Sequence, residues 1–336
     1  MIELRGLDRG RVFYLVWKKS NVLLIGNPSF DEIVFDGEVI HRVGGGIYYS
    51  LKVLKKIPLL DIDIITSTDP YTFIKLSSLT GIHRINVYPS KTAFYYKLIY
   101  RNGDRALYLL EKSNKLIESF IGSRIYDLAI VTPIYNEVMS SLLKKVWMQS
   151  EIVAIDIQGF IREKDYSGRI YYTCTPDLYD LIDYADIIHM NIDEAIYFIK
   201  CLGLKSLEEL VAYDELLFII TDSWRPFYIV FDKQILMIKP IKVQGDETGA
   251  GDTYLSTFSI YYYLLRDITL AAKYASSLTT QKILYGDIKD INDLESYMPR
   301  EIKYVERISY HKKRVSLIGV HRPTPPPPSM ETIMRY

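Results

Sequence analysis

Residues 245–252 are G-D-E-T-G-A-G-D, and the interpretation of the whole chain starts from this stretch. An apolar, strand-like run at residues 235–243 precedes it, and apolar residues with helical spacing follow it at residues 254–265. Glycines at a helix start leave several backbone N–H groups unpaired at one place, where the helix dipole also favours negative charge. The sequence therefore predicts an anion-binding turn. Asp252 adds a carboxylate, which would repel a stored anion but is suited to removing a proton from an attacking hydroxyl.

The composition indicates a globular chain with balanced charge. Apolar residues make up 49% of the 336 residues, enough for a substantial core in one large α/β domain or two modest ones. Lys and Arg total 41, and so do Asp and Glu, so there is neither the basic excess typical of nucleic-acid binding nor the acidic excess typical of disorder. A nucleic-acid partner is not expected.

The cysteines and the apolar runs bear on the compartment. Cys174 and Cys201 have neither the spacing of a metal site nor the density of a disulfide-rich secreted domain, which favours a reducing cytoplasm. No apolar run approaches the roughly 18 residues that span a bilayer. The run at residues 12–17 is too short for a signal peptide and no small-residue cleavage site follows it. A cytoplasmic protein with no membrane association is expected.

From residue 22 onward, short apolar strands alternate with amphipathic helices. This alternation favours an α/β fold whose mainly parallel sheet has helices on both faces. The strand candidates lie at residues 22–25, 128–131, 152–155, 187–189 and 217–220. The helix candidates lie at residues 47–56, 136–148, 193–201 and 207–213.

Two stretches interrupt this alternation. Residues 32–43 and 91–110 have short, strand-like periodicity, with hairpin signals at Asp36-Gly37 and at Asn102-Gly103-Asp104. They predict either a small sheet that projects from the main domain, as a lid does, or two peripheral hairpins. The expected organisation is listed in chain order: an N-terminal extension or added strand at residues 1–20, a main domain at 21–317 with lid segments near 32–43 and 91–110, and a Pro-rich tail at 318–336.

The segment D-E-T-G-A-G-D at residues 246–252 resembles the D-T-x-G-A-G-D signature of the ribokinase-like (PfkB) carbohydrate kinases, with Glu247 where Thr is common. The resemblance covers about residues 22–287. It implies a doubly wound, mainly parallel sheet of the ribokinase type with a small β-sheet lid. It also implies that Asp252 is the catalytic base. It further implies that the backbone N–H groups of Gly249, Ala250 and Gly251 bind the transferring phosphoryl group. It also implies that Thr248, Gly249 and Gly251 contact the nucleotide.

A second match lies near the N-terminus. Asp31 follows the first strand and G-G-G at residues 44–46 precedes a helix, where the family has an Asp and a G-G-x-x-x-N motif that hold the acceptor hydroxyls. A carboxylate accepts two hydroxyl hydrogen bonds, and glycines let a sugar ring approach the backbone. The resemblance therefore assigns acceptor binding to Asp31, Gly45 and Gly46, and to Ser50, which stands where Asn is usual. Taken alone, the glycines also fit a plain turn before a packed helix.

Asn191 and Glu194 resemble the family's N-x-x-E motif, whose residues order the water molecules around a phosphate-bound Mg²⁺. They lie three residues apart at a predicted helix start and so share one face. The same pair also predicts a capping box, in which Asn191 caps the helix and Glu194 occupies its third position. The two interpretations are compatible, and Asn191 is also assigned to the nucleotide.

Other matches carry less information. Thr221 ends a predicted strand where the family turns toward the nucleotide, but residues 222–226 lack the usual glycines. D-I-Q-G-F-I-R at residues 156–162 resembles the D-x-Q-G-x-x-R variant of some archaeal and inositol-kinase-like members, and Arg162 then either binds a phosphate or is a solvated residue at a helix start. Glu137 either reaches the acceptor pocket or is an ordinary first-turn glutamate. His189, which ends an apolar strand, is expected to be a core histidine.

The resemblance thus implies transfer of the γ-phosphoryl group of ATP to a hydroxyl of a sugar, polyol or related small molecule. It implies ATP and Mg²⁺ as cofactors and allows a monovalent cation. A nucleoside kinase of the same family and a non-catalytic nucleotide- or sugar-binding regulator are the alternatives. Ser50 and the glycine-poor residues after Thr221 leave the second alternative open. A small-molecule acceptor is the expected partner, and an exposed lid edge is compatible with a homodimer.

Overall fold

The structure is a computed structural model that describes residues 3–8, 11–16, 19–35, 37–79, 84–101 and 104–309. At residues 3–8, 11–16, 35, 100–101 and 104–105 it describes the backbone alone. Some of the sequence predictions fall outside the described residues, namely the turn residues Asp36, Asn102 and Gly103 and the Pro-rich tail at residues 318–336.

The described residues form strands and helices that follow one another along most of the chain. The strands are β1 (Glu3–Asp8), β2 (Arg11–Val16), β3 (Ser20–Ile25), β4 (Ser29–Phe35), β5 (Glu38–Gly44), β6 (Leu60–Thr68), β7 (Arg84–Pro89), β8 (Phe94–Arg101), β9 (Asp104–Glu111), β10 (Leu128–Val131), β11 (Val153–Asp156), β12 (Arg162–Lys164), β13 (Ile170–Tyr172), β14 (Ile187–Asn191), β15 (Leu217–Thr221), β16 (Phe227–Phe231), β17 (Gln234–Lys239) and β18 (Glu301–Tyr304). The α-helices are α1 (Gly46–Leu54), α2 (Pro70–Ser77), α3 (Ser140–Met148), α4 (Gln158–Ile161), α5 (Asp177–Tyr184), α6 (Ile192–Cys201), α7 (Ala250–Leu265) and α8 (Ile268–Tyr285), and 3₁₀ turns lie at Glu118–Phe120, Leu207–Ala212 and Glu295–Tyr297.

The main sheet has the strand order β18-β17-β16-β15-β14-β11-β10-β3-β6-β7. The strands from β15 to β7 pair in parallel, whereas β16, β17 and β18 extend the sheet antiparallel. From β3 the chain builds outward first to β6 and β7, and then on the other side from β10 to β15, so the winding changes direction between β3 and β10. Open α/β sheets bind ligands at the carboxyl ends of the strands beside such a switch point.

Alternate side chains of the buried strands enter two separate cores. In β3, Val22 and Leu24 join the core that contains residues of α1, α7 and α8, whereas Leu23 and Ile25 join the core that contains residues of α3 to α6. A strand buried on both faces has no polar face, which explains its continuous apolar sequence. The structure thus confirms the predicted mainly parallel sheet with helices on both faces.

A separate four-stranded sheet has the order β5-β4-β8-β9. Strand β4 pairs antiparallel with β5 and parallel with β8, so the two predicted hairpins form one sheet rather than two peripheral ones. A small core joins this sheet to the main domain, because Phe94, Tyr96 and Leu98 pack with Ile134 and Tyr135. The predicted small sheet is therefore present, and we call it the small sheet below.

Some predicted element boundaries are wrong, for local physical reasons. The helix expected at residues 136–148 begins at Ser140, because Asn136 has a positive φ of 55° and the Glu137 carboxylate binds backbone N–H groups of the preceding turn. The strand expected to reach residue 243 ends at Lys239, before Pro240, which has no backbone N–H. The helix expected at residues 207–213 is a 3₁₀ turn.

The N-terminal residues form their own hairpin. Strand β1 pairs antiparallel with β2 in a two-stranded sheet outside the main one. The expected domain boundaries near residues 20 and 317 stay predictions.

The two cysteines form a disulfide that the sequence did not predict. Cys174 precedes α5 and Cys201 ends α6, and their Cα atoms lie 5.5 Å apart. The cytoplasmic location stays a prediction, and this bond removes one of the arguments for it, because disulfides are rare in a reducing cytosol. None of the helices in the described part of the chain is both long and apolar enough to cross a membrane.

Candidate active site

A cavity of about 760 Å³ lies at the carboxyl ends of the parallel strands, with the small sheet along one side. Its position beside the switch of winding is the one that the fold predicts for a ligand site. The structure brings most of the predicted site residues to its wall: Asp31, Gly45, Gly46, Asn191, Glu194, Thr221, Thr248, Gly249, Ala250, Gly251 and Asp252. Ser50 and Glu137 are not among the residues that line it.

The predicted anion turn begins helix α7. Gly249 precedes the helix with a left-handed φ of 75°, and a side chain here would strike the ring of Tyr49, since an added Cβ would lie 2.1 Å from it. The Ala250 N–H donates to the Glu247 carbonyl at 3.0 Å and is therefore already engaged. The N–H groups of Gly249, Gly251 and Asp252 have no hydrogen-bond partner among the described residues. They are free to bind an anion, and we call these three groups the anion cradle.

Asp252 lies in the first turn of α7 and lines the cavity. Its Oδ1 atom is buried and has no hydrogen-bond partner in the described part of the chain. Burial raises the pKa of Asp252 to about 7, and the charge of Asp156 adds to this rise, while His189 and Arg162 oppose it. The carboxyl group is thus able to hold or release a proton near neutral pH.

A buried hydrogen-bond chain runs beneath Asp252. His189 Nδ1 lies 2.7 Å from Asp156 Oδ2, and His189 Nε2 lies 3.2 Å from Thr221 Oγ1. Burial opposes charge on His189, but the hydrogen bond and the charge of Asp156 outweigh it and raise the pKa of the imidazole. The ring also touches the anion turn, since a Cβ on Gly251 would lie 2.9 Å from His189 Cε1. His189 is therefore part of the cavity wall and not only a core residue.

Asn191 and Glu194 form the predicted capping box. Asn191 Oδ1 accepts the N–H groups of Asp193 and Glu194 at 3.0 Å each, and Glu194 Oε2 accepts the Asn191 N–H at 2.9 Å. Both residues still line the cavity. Burial raises the pKa of Glu194, and the Asp156 charge adds to the rise. The capping box engages only Oε2 of the Glu194 carboxylate, so Oε1 remains available to other groups.

Arg162 is buried in the same wall rather than solvated at a helix start. Its side chain is 14% exposed, its NH2 lies 3.8 Å from Glu194 Oε1, and its NH1 donates to the Ile134 carbonyl at 3.3 Å. The Arg162 Nε–H has no partner among the described residues. A buried guanidinium with a free N–H is able to bind an anion or a hydroxyl.

The opposite wall belongs to the small sheet and to the start of α1. Asp31 pairs in register with Arg42 of β5 and with Tyr96 of β8, so these side chains share one face of the small sheet. Asp31, Gly45 and Tyr96 line the cavity together with Leu98 and Leu107. A carboxylate beside apolar and aromatic side chains suits a small molecule that carries hydroxyls on a carbon skeleton.

The two assigned residues outside the cavity wall have structural surroundings. Glu137 is fully buried, and its carboxylate accepts N–H groups from Ile134, Tyr135 and Asn27. This carboxylate shapes a turn, so it neither binds in the cavity nor acts as an ordinary first-turn glutamate. Ser50 is fully buried in α1, and its Oγ has no partner among the described residues.

Side chains from outside the motif hold the anion turn in place. Arg42 NH1 lies 2.9 Å from Asp246 Oδ2 and Arg42 NH2 donates to Thr248 Oγ1 at 2.6 Å, which joins the small sheet to the turn. Lys282 of α8 donates to the backbone carbonyls of Asp246 and Thr248. The sequence offered no signal for these contacts, because both residues lie far from the turn along the chain.

The remaining wall, which we call the donor side, comes from β15 and α8. It includes Thr221 at the end of β15, Ser223 and Trp224 after that strand, and Ser276, Thr279 and Thr280 on α8. The Lys242 ammonium lies 4.0 Å from the centre of the Trp224 ring. A tryptophan thus lies in the segment where the resembling family usually has glycines.

The Asp156–His189–Thr221 chain was missed at the sequence level. The signal that could have found it is that polar residues end neighbouring parallel strands: Asp156 pairs in register with His189, and Asn191 with Thr221. The carboxyl ends of parallel strands meet at one edge of a sheet, so these side chains are expected to lie close to one another.

Comparison with known proteins finds one distant curated relative and several solved structures of similar fold. No model of a known protein family matches the chain. Inositol 3-kinase of Arabidopsis thaliana is 20% identical over 245 residues, which are 70% of this chain and 65% of that protein, so the chain spans less than two thirds of the curated relative.

Solved structures match more completely. A pyrophosphate-dependent kinase of the ribokinase family in complex with sulfate has a TM-score of 0.69 at 19% identity, over 82% of this chain and 100% of that one. A pyrophosphate-dependent kinase of that family complexed with a pyrophosphate analogue and myo-inositol has a TM-score of 0.67 at 20% identity, over 82% and 99%. Fructokinase from Xylella fastidiosa with bound ATP has a TM-score of 0.64 at 11% identity, over 81% and 94%. This chain therefore has the fold of the ribokinase-like kinases, and its signature residues resemble those of the PfkB type.

Proposed function

We propose that this protein is a kinase that transfers a phosphoryl group to a hydroxyl of a sugar or polyol. The observation that carries the proposal is the position of Asp252. Its buried Oδ1 stands between the anion turn and the backbone of Gly46, where an added Cβ would lie 2.8 Å from it. A base in this place faces the phosphoryl group on one side and the acceptor on the other.

In the proposed reaction the acceptor hydroxyl gives its proton to Asp252 Oδ1 as its oxygen bonds to phosphorus. The bond between phosphorus and the leaving phosphate oxygen breaks, and its electron pair stays with the leaving group. A pKa of about 7 suits this proton transfer at neutral pH. The N–H groups of Gly249, Gly251 and Asp252 stabilise the transferring group, and loss of one such preorganised donor costs about 10²- to 10³-fold in rate.

The residues present fit a magnesium ion bound mainly by the donor phosphates. Glu194 Oε1 has a single long contact, 3.8 Å to Arg162, and both Glu194 and Asn191 line the cavity. Mg²⁺ keeps several of its water molecules in such sites. When bound, the ion would neutralise charge on the donor phosphates, and Glu194 and Asn191 would orient its water molecules.

We place the acceptor against the small sheet, between Asp31, Gly45, Gly46 and Tyr96. Asp31 accepts hydrogen bonds from the acceptor hydroxyls, and Leu98 and Leu107 exclude water from it. The cyclic polyol myo-inositol is the first acceptor to test. It is supported by the likeness to inositol 3-kinase and to a structure that contains myo-inositol.

The donor we propose is ATP, supported by the likeness to an ATP-bound fructokinase and by a cavity that extends along α8. Pyrophosphate is the second candidate. The observation that favours it is Trp224 beneath Lys242, because a bulky pair stands where a glycine-rich turn usually leaves room for a nucleotide. Two structural relatives are pyrophosphate-dependent.

The test is a panel of acceptors, each offered with ATP or with pyrophosphate in the presence of Mg²⁺ and followed by phosphorus NMR. The expected result is a phosphomonoester of an inositol or a sugar. Phosphorylation of nucleosides alone would show the nucleoside kinase instead. Saturable ligand binding without product from any pair would show a regulator that has lost catalysis.

A further inference from the structure

Lys282 is a buried lysine whose ammonium group lies on the carbonyl side of the anion turn. Its side chain is 5% exposed, and Nζ donates to the Asp246 carbonyl at 2.8 Å and to the Thr248 carbonyl. The Tyr49 ring, whose centre is 5.4 Å from Nζ, covers it. The Thr248 carbonyl shares its peptide group with the Gly249 N–H, so helix α8 delivers a positive charge to one peptide group of the cradle and to the neighbouring Asp246 carbonyl.

The backbone carbonyls of residues 246–249 in the turn each accept a hydrogen bond within the described chain. Besides the two that accept from Lys282, the Glu247 carbonyl accepts the Ala250 N–H and the Gly249 carbonyl accepts the Thr253 N–H, both at 3.0 Å. Proteins bind monovalent cations such as K⁺ with backbone carbonyl oxygens. The Lys282 ammonium already contacts the Asp246 and Thr248 carbonyls, and a second cation within a few ångströms of it would be repelled. The turn therefore does not fit the free monovalent cation that the family resemblance allowed.

The Lys282 ammonium group remains largely protonated although it is buried. Burial lowers the pKa of Lys282 to about 8 and the charge of Asp246 opposes this fall, so most of the ammonium remains protonated at pH 7. A cation at the Thr248 carbonyl polarises the Thr248–Gly249 peptide group and favours its N–H end pointing toward the cradle. Asp246 and Thr248 also bind Arg42 through their side chains, so the turn is fixed from two directions.

We propose that Lys282 is a tethered cation that positions the anion turn, so that donor binding in this protein needs no free monovalent cation. This inference rests on the proposed function only in naming the bound anion as a phosphoryl donor. Lys282 does not touch the reacting atoms in this account and is a positioning residue.

The first experiment needs no turnover. The melting temperatures of the wild-type protein and of Lys282→Ala are compared in tetramethylammonium, potassium and ammonium chloride at equal ionic strength. Removal of the side chain exposes two carbonyls in a hole of ammonium size, so ammonium or potassium should raise the melting temperature of the variant saturably. The wild-type protein should show no preference among the three salts. Lys56→Ala is the matched control, since Lys56 also binds a carbonyl, that of Ile288, but outside the turn.

The second experiment measures donor affinity by calorimetry with ATP and with pyrophosphate. Lys282→Met, which retains most of the side-chain volume, should bind the preferred donor at least tenfold more weakly than wild type in tetramethylammonium. For Lys282→Ala, ammonium should recover much of the affinity.

Two results would overturn the inference: wild-type donor affinity that requires potassium, or a Lys282→Ala variant that no cation stabilises or rescues. If the wild-type protein binds neither donor, the proposed function fails, while the melting experiment still decides the role of Lys282.

Discussion

Asp252 Oδ1 lies against the backbone of Gly46, so close that a methyl group at position 46 would stand 2.8 Å from it. The contact joins the first turn of α7 to the first turn of α1. It also joins the phosphate side of the proposed site to the acceptor side. In the proposed reaction, the carboxylate therefore stands between the acceptor and the anion cradle.

The acid limb of the pH profile follows from the burial of Asp252. Its pKa is raised to about 7, so below this pH the carboxyl is protonated and cannot accept a proton. We expect kcat at saturating substrates to rise about tenfold per pH unit below 7 and to level off above it. A kcat that stays constant down to pH 5 would show that Asp252 is not the titrating base.

Arg42 should matter more for activity than for stability. Its ion pair with Asp246 is partly exposed, 28% and 49%, and pairs of this kind contribute at most about 1 kcal/mol to the free energy of unfolding. The same contacts fix the anion turn, so Arg42→Ala should lower kcat/KM by about tenfold or more. Stopped assays measure the change in kcat/KM, and thermal melts measure the change in stability.

Lys97→Ala is the matched control, because Lys97 pairs with Glu32 at 2.7 Å in the same small sheet but does not line the cavity. If Arg42→Ala and Lys97→Ala have the same small effect on kcat/KM, the contact between Arg42 and the turn has no functional role.

Trp224 should distinguish the two donors. It lines the donor side of the cavity, and stacking of a base on an aromatic ring contributes about 1–3 kcal/mol. With ATP as donor, Trp224→Ala should raise the KM for ATP about tenfold and leave any use of pyrophosphate unchanged. Trp147→Ala, at an exposed site on α3, is the control. An unchanged KM for ATP in Trp224→Ala would mean that the base does not stack on this ring.

The disulfide should stabilise the fold without affecting the chemistry. Cys174 and Cys201 are 27 residues apart, and closure of a loop of this length contributes roughly 3 kcal/mol. We expect a reductant to lower the urea midpoint of the wild-type protein but not that of the Cys174→Ser/Cys201→Ser double variant. Neither residue lines the cavity, so kcat should be unchanged in the reduced wild-type protein and in the double variant. A wild-type midpoint that does not respond to reductant would show that the bond is absent in solution.

Much of the fold could be predicted from the sequence because its signals are local. The continuous apolar run of β3 follows from burial on both faces of the strand. Residues 253–261 of α7 are all buried, and the length of this mainly apolar segment indicates a helix. The boundary at Ser140 was not predictable, because it depends on the Glu137 carboxylate meeting backbone N–H groups in three dimensions. The pairing of Cys174 with Cys201 depends in the same way on how α5 and α6 are placed.

The same distinction between local signals and contacts of distant residues applies to the candidate active site. The turn at residues 246–252 and the capping box of Asn191 and Glu194 are contiguous in sequence, so their local geometry was predictable. Arg42 and Lys282 act on the turn from distant parts of the chain, and only the assembled fold brings them together. Their contacts with the turn were therefore not predictable from residue spacing.

The central claim is that Asp252 is the base of a phosphoryl transfer, and the direct measurement is the single-turnover rate of Asp252→Asn beside wild type with the best acceptor and donor. General-base catalysis contributes about 10²- to 10⁴-fold, so the variant should transfer the phosphoryl group slower by that factor. Its donor affinity should remain close to wild type. Its melting temperature at pH 8 should be equal or higher, since a carboxyl with a raised pKa loses stabilising free energy as the pH rises through about 7. Transfer by Asp252→Asn at near the wild-type rate would contradict the account.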